Sequence, residues 1–334
     1  MRTAVATSDA GVFLTSTDDI VLRCPECSRS VGPLNHRDDG SSCAWIRCSE
    51  CDAVIRKKNG IWRMLSYHQR EQFSGFLRDY EDIRRREGRG SEHGAFYLAL
   101  PYADLTENFS DQWHIRGRSY RFLERRLLPQ LEVRHGGAFR VLDIGAGNGW
   151  LSYRLALFGH RPVAVDLCCT TWDGLGAGEH YAPLLPDMFP RFEGEMNALP
   201  FEDEQFDVAI FNASFHYSTD YAHTLREALR CLRPGGTILI VDSPTYEHAH
   251  SGEAMRLERR IQFEARFGTR GDALPTGDYI TPEILERLSG LGIRWKRHLP
   301  WYGMRWWMRP MAARLKGRRE PSQFYLYEGQ TEQL

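Results

Sequence analysis

The stretch VLDIGAGNGW, residues 141–150, decides the fold of this chain. Its first four residues suit a buried strand, and glycines then occupy positions 145, 147 and 149. Glycine lets the backbone turn sharply and approach a ligand closely. A strand that runs into such a turn indicates a nucleotide site beyond the carboxyl end of the strand.

The residues that follow alternate between helix and strand patterns. The sequence predicts a helix in WLSYRLALF (150–158), strands in PVAVDL (162–167) and FDVAIFN (206–212), a helix in DYAHTLREALRCL (220–232), a turn at PGG (234–236) and a strand in TILIVDS (237–243). Such alternation is typical of an α/β fold with a doubly wound parallel sheet covered on both faces.

The glycine spacing discriminates between ligands. A dinucleotide fingerprint needs a third glycine at position 150, where this chain has Trp150, and the Gly-Lys-Ser/Thr ending of a P-loop is missing. Asp143 before the turn suits a ligand that carries positive charge. Asp166, at the end of the next strand, is placed to accept hydrogen bonds from ribose hydroxyls. The pattern therefore favours an adenosyl ligand with a sulfonium and an ammonium group.

At these residues the chain resembles the class I S-adenosylmethionine-dependent methyltransferases, and it is similar to the group that contains the ubiquinone and menaquinone methyltransferases. The resemblance covers roughly residues 138–245 and rests on four motifs in order: LDIGAGNG, VAVDL, EMNALPFEDEQFDVAIFNASFHY and LRPGGTILIVDSP. It implies a Rossmann-like fold and S-adenosylmethionine as the cofactor.

The resemblance also implies roles for individual residues. Asp166 would hold the ribose with Leu167 against the adenine, and Glu195 would face the adenine amino group, with Asn197 as a competing candidate. Asn212 would lie near the transferred methyl group. The full cofactor-binding set that the resemblance implies is Asp143, Gly145, Gly147, Gly149, Asp166, Leu167, Glu195, Met196 and Asn212.

Two CxxC pairs mark the amino-terminal residues 1–65 as a small zinc-ribbon module. Their cysteines are Cys24, Cys27, Cys48 and Cys51. Each pair forms a tight turn that directs two thiolates to one point, and zinc accepts four sulfur ligands in a closed tetrahedral site. A reactive dithiol or an iron site is the alternative, and Cys43 and His36 lie in the intervening loop as further candidate ligands.

Residues 66–135 are predicted to form a helical connector and lid. Apolar residues recur at helical spacing over 66–90. The first half of 96–131 is interpreted as extended and aromatic, and the second half as a helix that ends near Pro129. Because this segment directly precedes the glycine turn, Trp113, Arg116 and Tyr120 are candidates for the substrate side of the site, with ordinary packing as the alternative.

Residues 136–334 are predicted to be the methyltransferase domain, with an insertion at about 245–275. His216 follows the FDVAIFN strand and is the candidate general base, since histidine titrates near neutral pH. Tyr217 is a further candidate for the substrate pocket. The inserted stretch SGEAMRLERRIQFEARFG (251–268) is predicted to be a helix that covers the substrate.

The segment 301–319 lies in a strongly basic part of the chain. Between Arg294 and Arg319 there are nine Lys or Arg residues and no Asp or Glu. Met304, Trp307, Met308, Met311 and Leu315 would share one helical face. Such a helix suits peripheral contact with an anionic membrane or with RNA, and a face packed against the domain is the third interpretation.

The 334-residue chain has a net charge of -1, so no global charge directs it to nucleic acid or membrane. No apolar run approaches the ~20 residues of a membrane span, and the amino terminus lacks a signal-peptide pattern, so a cytoplasmic protein is expected. The most favoured function is methyl transfer to a small hydrophobic, lipid-like or secondary-metabolite acceptor. The alternatives are an rRNA base methyltransferase that uses the ribbon to bind RNA, and a non-catalytic adapter.

Overall fold

The computed structural model describes residues 20–34 and 43–331. The strands are β1 (Val21–Arg23), β2 (Ser30–Pro33), β3 (Cys43–Arg47), β4 (Val54–Lys58), β5 (Ile61–Arg63), β6 (Arg140–Ile144), β7 (Arg161–Asp166), β8 (Arg191–Glu193), β9 (Phe206–Asn212), β10 (Leu232–Val241), β11 (Pro244–Thr245), β12 (Ile293–His298), β13 (Gln323–Phe324) and β14 (Leu326–Thr331). The α-helices are α1 (Tyr67–Arg86), α2 (Gly94–Ala99), α3 (Ser110–Phe122), α4 (Leu128–His135), α5 (Trp150–Leu157), α6 (Tyr221–Cys231), α7 (Ala249–Phe267), α8 (Pro282–Ser289), α9 (Met304–Trp307) and α10 (Arg309–Leu315).

A ten-stranded sheet in the order β12-β14-β10-β9-β6-β7-β8-β5-β4-β3 organises the molecule. Strands β10, β9, β6, β7 and β8 are mutually parallel, and β14 joins them antiparallel beside β10. All five residues of β6 are buried, as expected for a strand covered on both faces. The predicted doubly wound, Rossmann-like α/β fold is confirmed, and the carboxyl ends of β6, β7, β9 and β10 share one edge of the sheet.

The cysteine-rich module is continuous with this sheet. Strand β5 pairs in parallel with β8, with Ile61 opposite Arg191, so that β5, β4 and β3 extend the sheet beyond β8. Leu22 of β1 forms a bridge with Phe201, and Ile46 and Ile55 belong to the same buried cluster as β7 and β8. The module therefore shares its hydrophobic core with the methyltransferase-like part of the chain.

Three local predictions differ from the structure. Residues 94–99, expected to be extended, form α2, because the buried Tyr97 side chain stacks on His180 (ring centroids 4.6 Å) and tertiary packing overrides the strand preference of aromatic residues. The helix expected to end near Pro129 continues to His135. Pro129 sits in the first turn of α4, where its missing N–H costs nothing, and the π-helical turn Leu123–Leu127 precedes it.

The third difference concerns PGG at 234–236. It lies within β10 as an irregularity, because pairing with β9 is interrupted between Leu232 and Thr237. Three of the helices begin with a side-chain cap. Ser66 and Gln69 form a reciprocal capping box at the start of α1, and Asp220 and Thr281 cap α6 and α8. Across the described residues, no helix combines the length and apolar character needed to cross a bilayer.

Candidate functional site

A cavity of about 1110 Å³ lies at the carboxyl ends of the central strands. Ligands in open α/β sheets bind at this edge. Eleven residues named from the sequence line it: Trp113, Arg116, Gly145, Gly147, Asp166, Leu167, Glu195, Met196, Asn212, His216 and Tyr217. Asp143, Gly149 and Tyr120, which were also named, do not.

The glycine turn connects β6 to α5 and is fixed to the end of β7. The backbone N–H groups of Gly145 and Ala146 both donate to the carbonyl oxygen of Val165, at 2.8 and 3.0 Å. Gly145 has a φ of 71°, and a Cβ there would lie 2.3 Å from the Cβ of Ser214. A side chain at Gly147 (φ 55°) would meet no protein atom within 4 Å. The turn thus leaves room at Gly147 for a ligand to approach the backbone.

Asp166 ends β7 and lies beside this turn. Its carboxylate accepts hydrogen bonds from the backbone N–H of Gly147 (2.8 Å) and of Cys168 (2.7 Å). Burial raises the pKa of Asp166 above its ordinary value. Each carboxylate oxygen retains a further lone pair, so the side chain is able to accept hydrogen bonds from a vicinal diol such as ribose. The acceptor oxygens of Asp166 and the open space at Gly147 fit an adenosyl cofactor.

Asp143 lies one layer behind the turn rather than in the cavity. It is fully buried and accepts a hydrogen bond from the Ser152 hydroxyl of α5 at 2.7 Å. Burial raises the pKa of Asp143 to about 7. The expected direct contact with the methionine part of the cofactor therefore has no support in the geometry.

The contacts of Glu195 and Asn197 distinguish the two candidates for the adenine end of the site. The Asn197 side chain donates to the Thr219 hydroxyl at 3.0 Å and accepts from Thr224, and it does not line the cavity. Glu195 is 8% exposed, lines the cavity, and has a pKa raised to about 7 by burial. Of the two candidates for the adenine end, only Glu195 faces the cavity.

His216 and Tyr217 lie in a short 3₁₀ turn after β9. The His216 ring contacts the Tyr217 ring (centroids 4.4 Å), and its Nδ1 lies 3.4 Å from the Ser243 hydroxyl. Burial lowers the pKa of His216 to about 3. The imidazole is thus neutral at physiological pH and a weak proton acceptor, which argues against the general-base role expected from the sequence.

The wall over the cavity comes from the connector. Helix α1 contributes Phe76, Tyr80 and Arg84, and α3 contributes Trp113 and Arg116. Tyr120 instead packs beneath the cavity against Trp150, with ring centroids 5.5 Å apart, and is 1% exposed. Tyr120 shares the face of α3 with Trp113 and Arg116, but it lies one turn beyond Arg116, where that face packs on Trp150 of α5.

The inserted helix was expected to cover the substrate, but from the insertion at about 245–275 only Leu274, which lies beyond α7, lines the cavity. No residue of α7 lines the cavity. Its carboxyl end supports α1 from behind, because Arg86 donates hydrogen bonds to the carbonyl oxygens of Phe267 (3.0 Å) and Arg266 (3.1 Å).

Asp242 directly follows β10 and lines the cavity, and no role was predicted for it from the sequence. Its backbone φ is 53°, a left-handed conformation that is uncommon for residues other than glycine. The side chain accepts from the Ser119 hydroxyl of α3, and its Oδ2 has no hydrogen-bond partner. Burial raises the pKa of Asp242 to about 6.

Two arginines in the cavity wall form no direct ion pair within the described residues, although the Asp242 carboxylate interacts with the charge of Arg116 at longer range. The Arg116 guanidinium lies over the Trp113 ring at 4.8 Å, and burial lowers its pKa to about 10. The Arg309 guanidinium lies over Trp306 at 3.7 Å, and its buried Nη1 has no hydrogen-bond partner. Burial also lowers the pKa of Arg309.

These residues meet at the β10 side of the cavity. Tyr302 bonds the Ser119 hydroxyl (2.9 Å) and the Phe324 carbonyl oxygen (2.9 Å), and its ring contacts Trp306 at 5.3 Å. A chain of contacts thus links Asp242 to Arg309. Trp306 lies in α9 and Arg309 begins α10, and no sequence motif marks either of them as a cavity residue.

The four thiols of the ribbon form a separate cluster. Their sulfur atoms all lie within 4.8 Å of one another, with Cys24 to Cys51 at 3.6 Å and Cys27 to Cys48 at 3.7 Å. A tetrahedral zinc site with Zn–S bonds of ~2.3 Å needs sulfur separations of roughly 3.8 Å, so the cluster is compatible with zinc. Cys43 is exposed and outside the cluster, and His36 lies outside the described residues.

Comparison with known proteins identifies the central part of the chain. Residues 142–240 match the family described as Methyltransferase domain. The chain is 35% identical over 107 residues to a malonyl-[acyl-carrier protein] O-methyltransferase of Erwinia pyrifoliae, which covers 32% of this chain and 38% of that protein. It is 29% identical over 167 residues to a ubiquinone/menaquinone biosynthesis C-methyltransferase of Roseobacter denitrificans, which covers 49% and 63%.

The chain therefore spans only 38% to 63% of the length of these relatives. Among solved structures, the 1,6-didemethyltoxoflavin-N1-methyltransferase of Burkholderia thailandensis is 16% identical, with a TM-score of 0.46 over 87% of this chain and 96% of that one. The family match falls on β6 to β10, the part of the sheet that carries the glycine turn and Asp166. This chain therefore carries a class I S-adenosylmethionine-dependent methyltransferase domain.

Proposed function

We propose that this protein transfers the methyl group of S-adenosylmethionine to a small acceptor bound in the same cavity. The observation that carries the proposal is that one cavity is lined both by the residues predicted to bind the cofactor and by a second set of side chains on the β10 side. Gly147, Asp166 and Glu195 line it beside β6 to β8, and Asp242 and Trp306 line it on the β10 side. Bound S-adenosylmethionine would supply an already activated methyl group, so the protein has mainly to position the nucleophile and exclude water.

We call the part of the cavity on the β10 side, with the facing walls of α1 and α3, the acceptor half. Its chemistry favours an aromatic or otherwise apolar molecule that carries an anionic group. Trp113, Tyr217 and Trp306 offer apolar walls, the guanidinium groups of Arg116 and Arg309 form no direct ion pair among the described residues, and the buried Nη1 of Arg309 has no hydrogen-bond partner. Buried donors without acceptors are costly, and a carboxylate or phosphate on the acceptor would satisfy them. The relative named for ubiquinone/menaquinone biosynthesis is consistent with a small acceptor, whereas the other is named for a malonyl group on an acyl-carrier protein.

Where the acceptor must lose a proton, Asp242 is the better general base. Its Oδ2 has no hydrogen-bond partner, and its pKa of about 6 keeps it ionised at neutral pH. An effective base needs a pKa near the working pH. His216, with a pKa of about 3, accepts a proton too weakly and is assigned here to shaping the pocket beside Tyr217.

Methylation of an RNA base is the alternative function. It requires the ribbon to present RNA to the cavity, yet no described residue of the ribbon lines the cavity, whose walls begin at Phe73. Helices α1 and α3 also form one wall of the cavity, whose volume of about 1110 Å³ is of the order of a small-molecule site. These features favour the small acceptor.

The test is methyl incorporation from labelled S-adenosylmethionine into two fractions of the same cell extract. One fraction is the filtrate that contains only small molecules, and the other is purified total RNA. The proposal expects label in an extractable small product and none in RNA. Incorporation into RNA alone would replace the proposal with the alternative. The Asp166→Ala variant serves as the inactive control for both fractions.

A further inference from the structure

Helices α9 and α10 leave a continuous apolar face uncovered. Their apolar side chains were expected to share one face, and in the structure this face is directed to solvent. The exposed fractions are 59% for Met304, 64% for Trp307, 43% for Met308, 55% for Met311 and 83% for Leu315. Leu299 and Trp301, just before α9, are 61% and 58% exposed. We call these seven residues the outer face.

The opposite side of the same helices belongs to the cavity. Arg305, Trp306 and Arg309 line it, and Trp306 stacks on Phe324 with ring centroids 5.6 Å apart. The outer face therefore cannot be explained as packing against the domain. Contiguous exposed apolar side chains on a protein surface mark an interaction site.

The segment that carries the outer face is strongly basic, and Arg319 at its end is paired with Glu258. From Arg294 to Arg319 the sequence has nine basic and no acidic residues. Arg314, Lys316 and Arg318 are exposed and form no ion pair with any residue that the structure describes. A partner for this surface must combine negative charge with an apolar phase.

We propose that the outer face docks on an anionic lipid bilayer. A short amphipathic segment that carries tryptophan and aliphatic side chains on one face and cations at its margin lies in the membrane interface, and anionic headgroups attract the cations. The inference is independent of the methyl-transfer proposal, since docking requires no reaction. Because Trp306 and Arg309 line the cavity on the reverse side, docking would place the cavity wall at the membrane surface.

Two other occupants fit the surface less well. A second copy of the chain would bring the cations of each outer face against those of the other, because a two-fold interface pairs a patch with itself. RNA would satisfy the cations, but single-stranded binding surfaces rely on stacking against aromatic rings. Five of the seven side chains of the outer face are methionine or leucine, which offer no aromatic ring for a base to stack on.

The test is co-sedimentation of the full chain with phosphatidylglycerol–phosphatidylcholine vesicles and with pure phosphatidylcholine vesicles. We expect at least about tenfold stronger binding to the anionic vesicles, weakened by salt. Trp307→Ser with Leu315→Ser should reduce this binding at least about tenfold, since both side chains would leave the apolar phase. Lys316→Glu with Arg318→Glu should reduce binding to anionic vesicles without changing the weak binding to neutral ones.

The matched control is Val133→Ser. Val133 is 85% exposed on α4, which leads into the amino end of β6, away from the cavity edge of the sheet. It should bind vesicles as the parent chain does. Equal binding to both vesicle types, or none, would overturn the proposal. So would a concentration-dependent dimer that Trp307→Ser abolishes, or binding to poly(U) without binding to vesicles.

Discussion

The two halves of the cavity are built in different ways. The cofactor half consists of a turn and three strand ends within residues 144–196, held together by backbone hydrogen bonds such as those from Gly145 and Gly147. The acceptor half brings together α1, α3, Asp242 and the 302–309 segment, which are far apart in sequence. The first half is fixed by local geometry, and the second depends on tertiary packing. Substitutions in the two halves should therefore have separable effects.

Asp166→Ala should have the largest effect on binding. Loss of two charge-assisted hydrogen bonds to the ribose should weaken S-adenosylmethionine affinity by about 4 kcal/mol, or roughly thousandfold. Calorimetric titration measures it. Asp203→Ala, an exposed carboxylate away from the cavity, is the control. Equal affinity in Asp166→Ala and the parent chain would refute the ribose assignment.

Cys48→Ser should remove zinc from the ribbon and destabilise the chain. Since β5 continues the main sheet beside β8, we expect the free energy of unfolding to fall by roughly 3 kcal/mol or more. Metal analysis and denaturant unfolding report the two effects. Cys43→Ser, outside the cluster, should retain the zinc. A Cys48→Ser protein with a full equivalent of zinc would contradict the assignment.

Gly145→Ala tests the local geometry of the cofactor half. The added Cβ would lie 2.3 Å from Ser214 at a φ of 71°, so overpacking and backbone strain together should cost about 3 kcal/mol. Gly159→Ala has a similar φ of 82° but open space around the Cβ, and should cost only about 1 to 2 kcal/mol. Equal losses of unfolding free energy would show that Ser214 moves aside freely.

Asp242→Asn tests the acceptor half by its effect on kcat. Removal of the base should lower kcat roughly hundredfold for an acceptor that must be deprotonated, and leave cofactor affinity unchanged. Because the pKa of Asp242 is about 6, the parent enzyme should gain activity as pH rises through that value and then level off. The variant should lose this step. If Asp242→Asn keeps the rise of activity near pH 6, Asp242 is not the general base. If only His216→Gln loses this rise, His216 is the general base.

Arg309→Gln should have the smallest effect, confined to the acceptor. Affinity for 1-hydroxy-2-naphthoate should fall about tenfold as one charge-assisted hydrogen bond is lost, while affinity for the neutral 1-naphthol should be unchanged. Titrations are made with the chain saturated with S-adenosylhomocysteine. Arg314→Gln, exposed on the same helix and outside the cavity, is the matched control. Equal losses for both naphthyl compounds would indicate a packing role instead.

The contrast between the halves explains what the sequence could predict. The fold and the methyltransferase domain were predicted correctly from four motifs in order, of which the first two supply a strand, three glycines and Asp166 within a short part of the chain. Asp143 shows the limit of such motifs. It occupies the expected position in the motif, but its side chain accepts a hydrogen bond from Ser152 and does not line the cavity. Motif spacing fixes where a residue lies along the chain, and burial decides what its side chain contacts.

The acceptor half could be predicted only in fragments. Trp113 and Arg116 were named because α3 directly precedes the turn, yet Tyr120, one turn further along, faces the core. Helix α7 was expected over the substrate, whereas it supports α1 through Arg86. Asp242 carried a usable signal, since it ends β10 as Asn212 ends β9. Trp306 and Arg309 carried none, because only long-range packing through Tyr302 brings them to the cavity.

The most direct measurement is a calorimetric titration of the full chain with S-adenosylmethionine, with NAD and ATP as comparison ligands. The geometry of the glycine turn and Asp166 predicts saturable binding of one S-adenosylmethionine per chain, displaced by S-adenosylhomocysteine, and no comparable binding of NAD or ATP. An absence of saturable S-adenosylmethionine binding, or tighter binding of NAD, would contradict the assignment of the cavity and the function built on it.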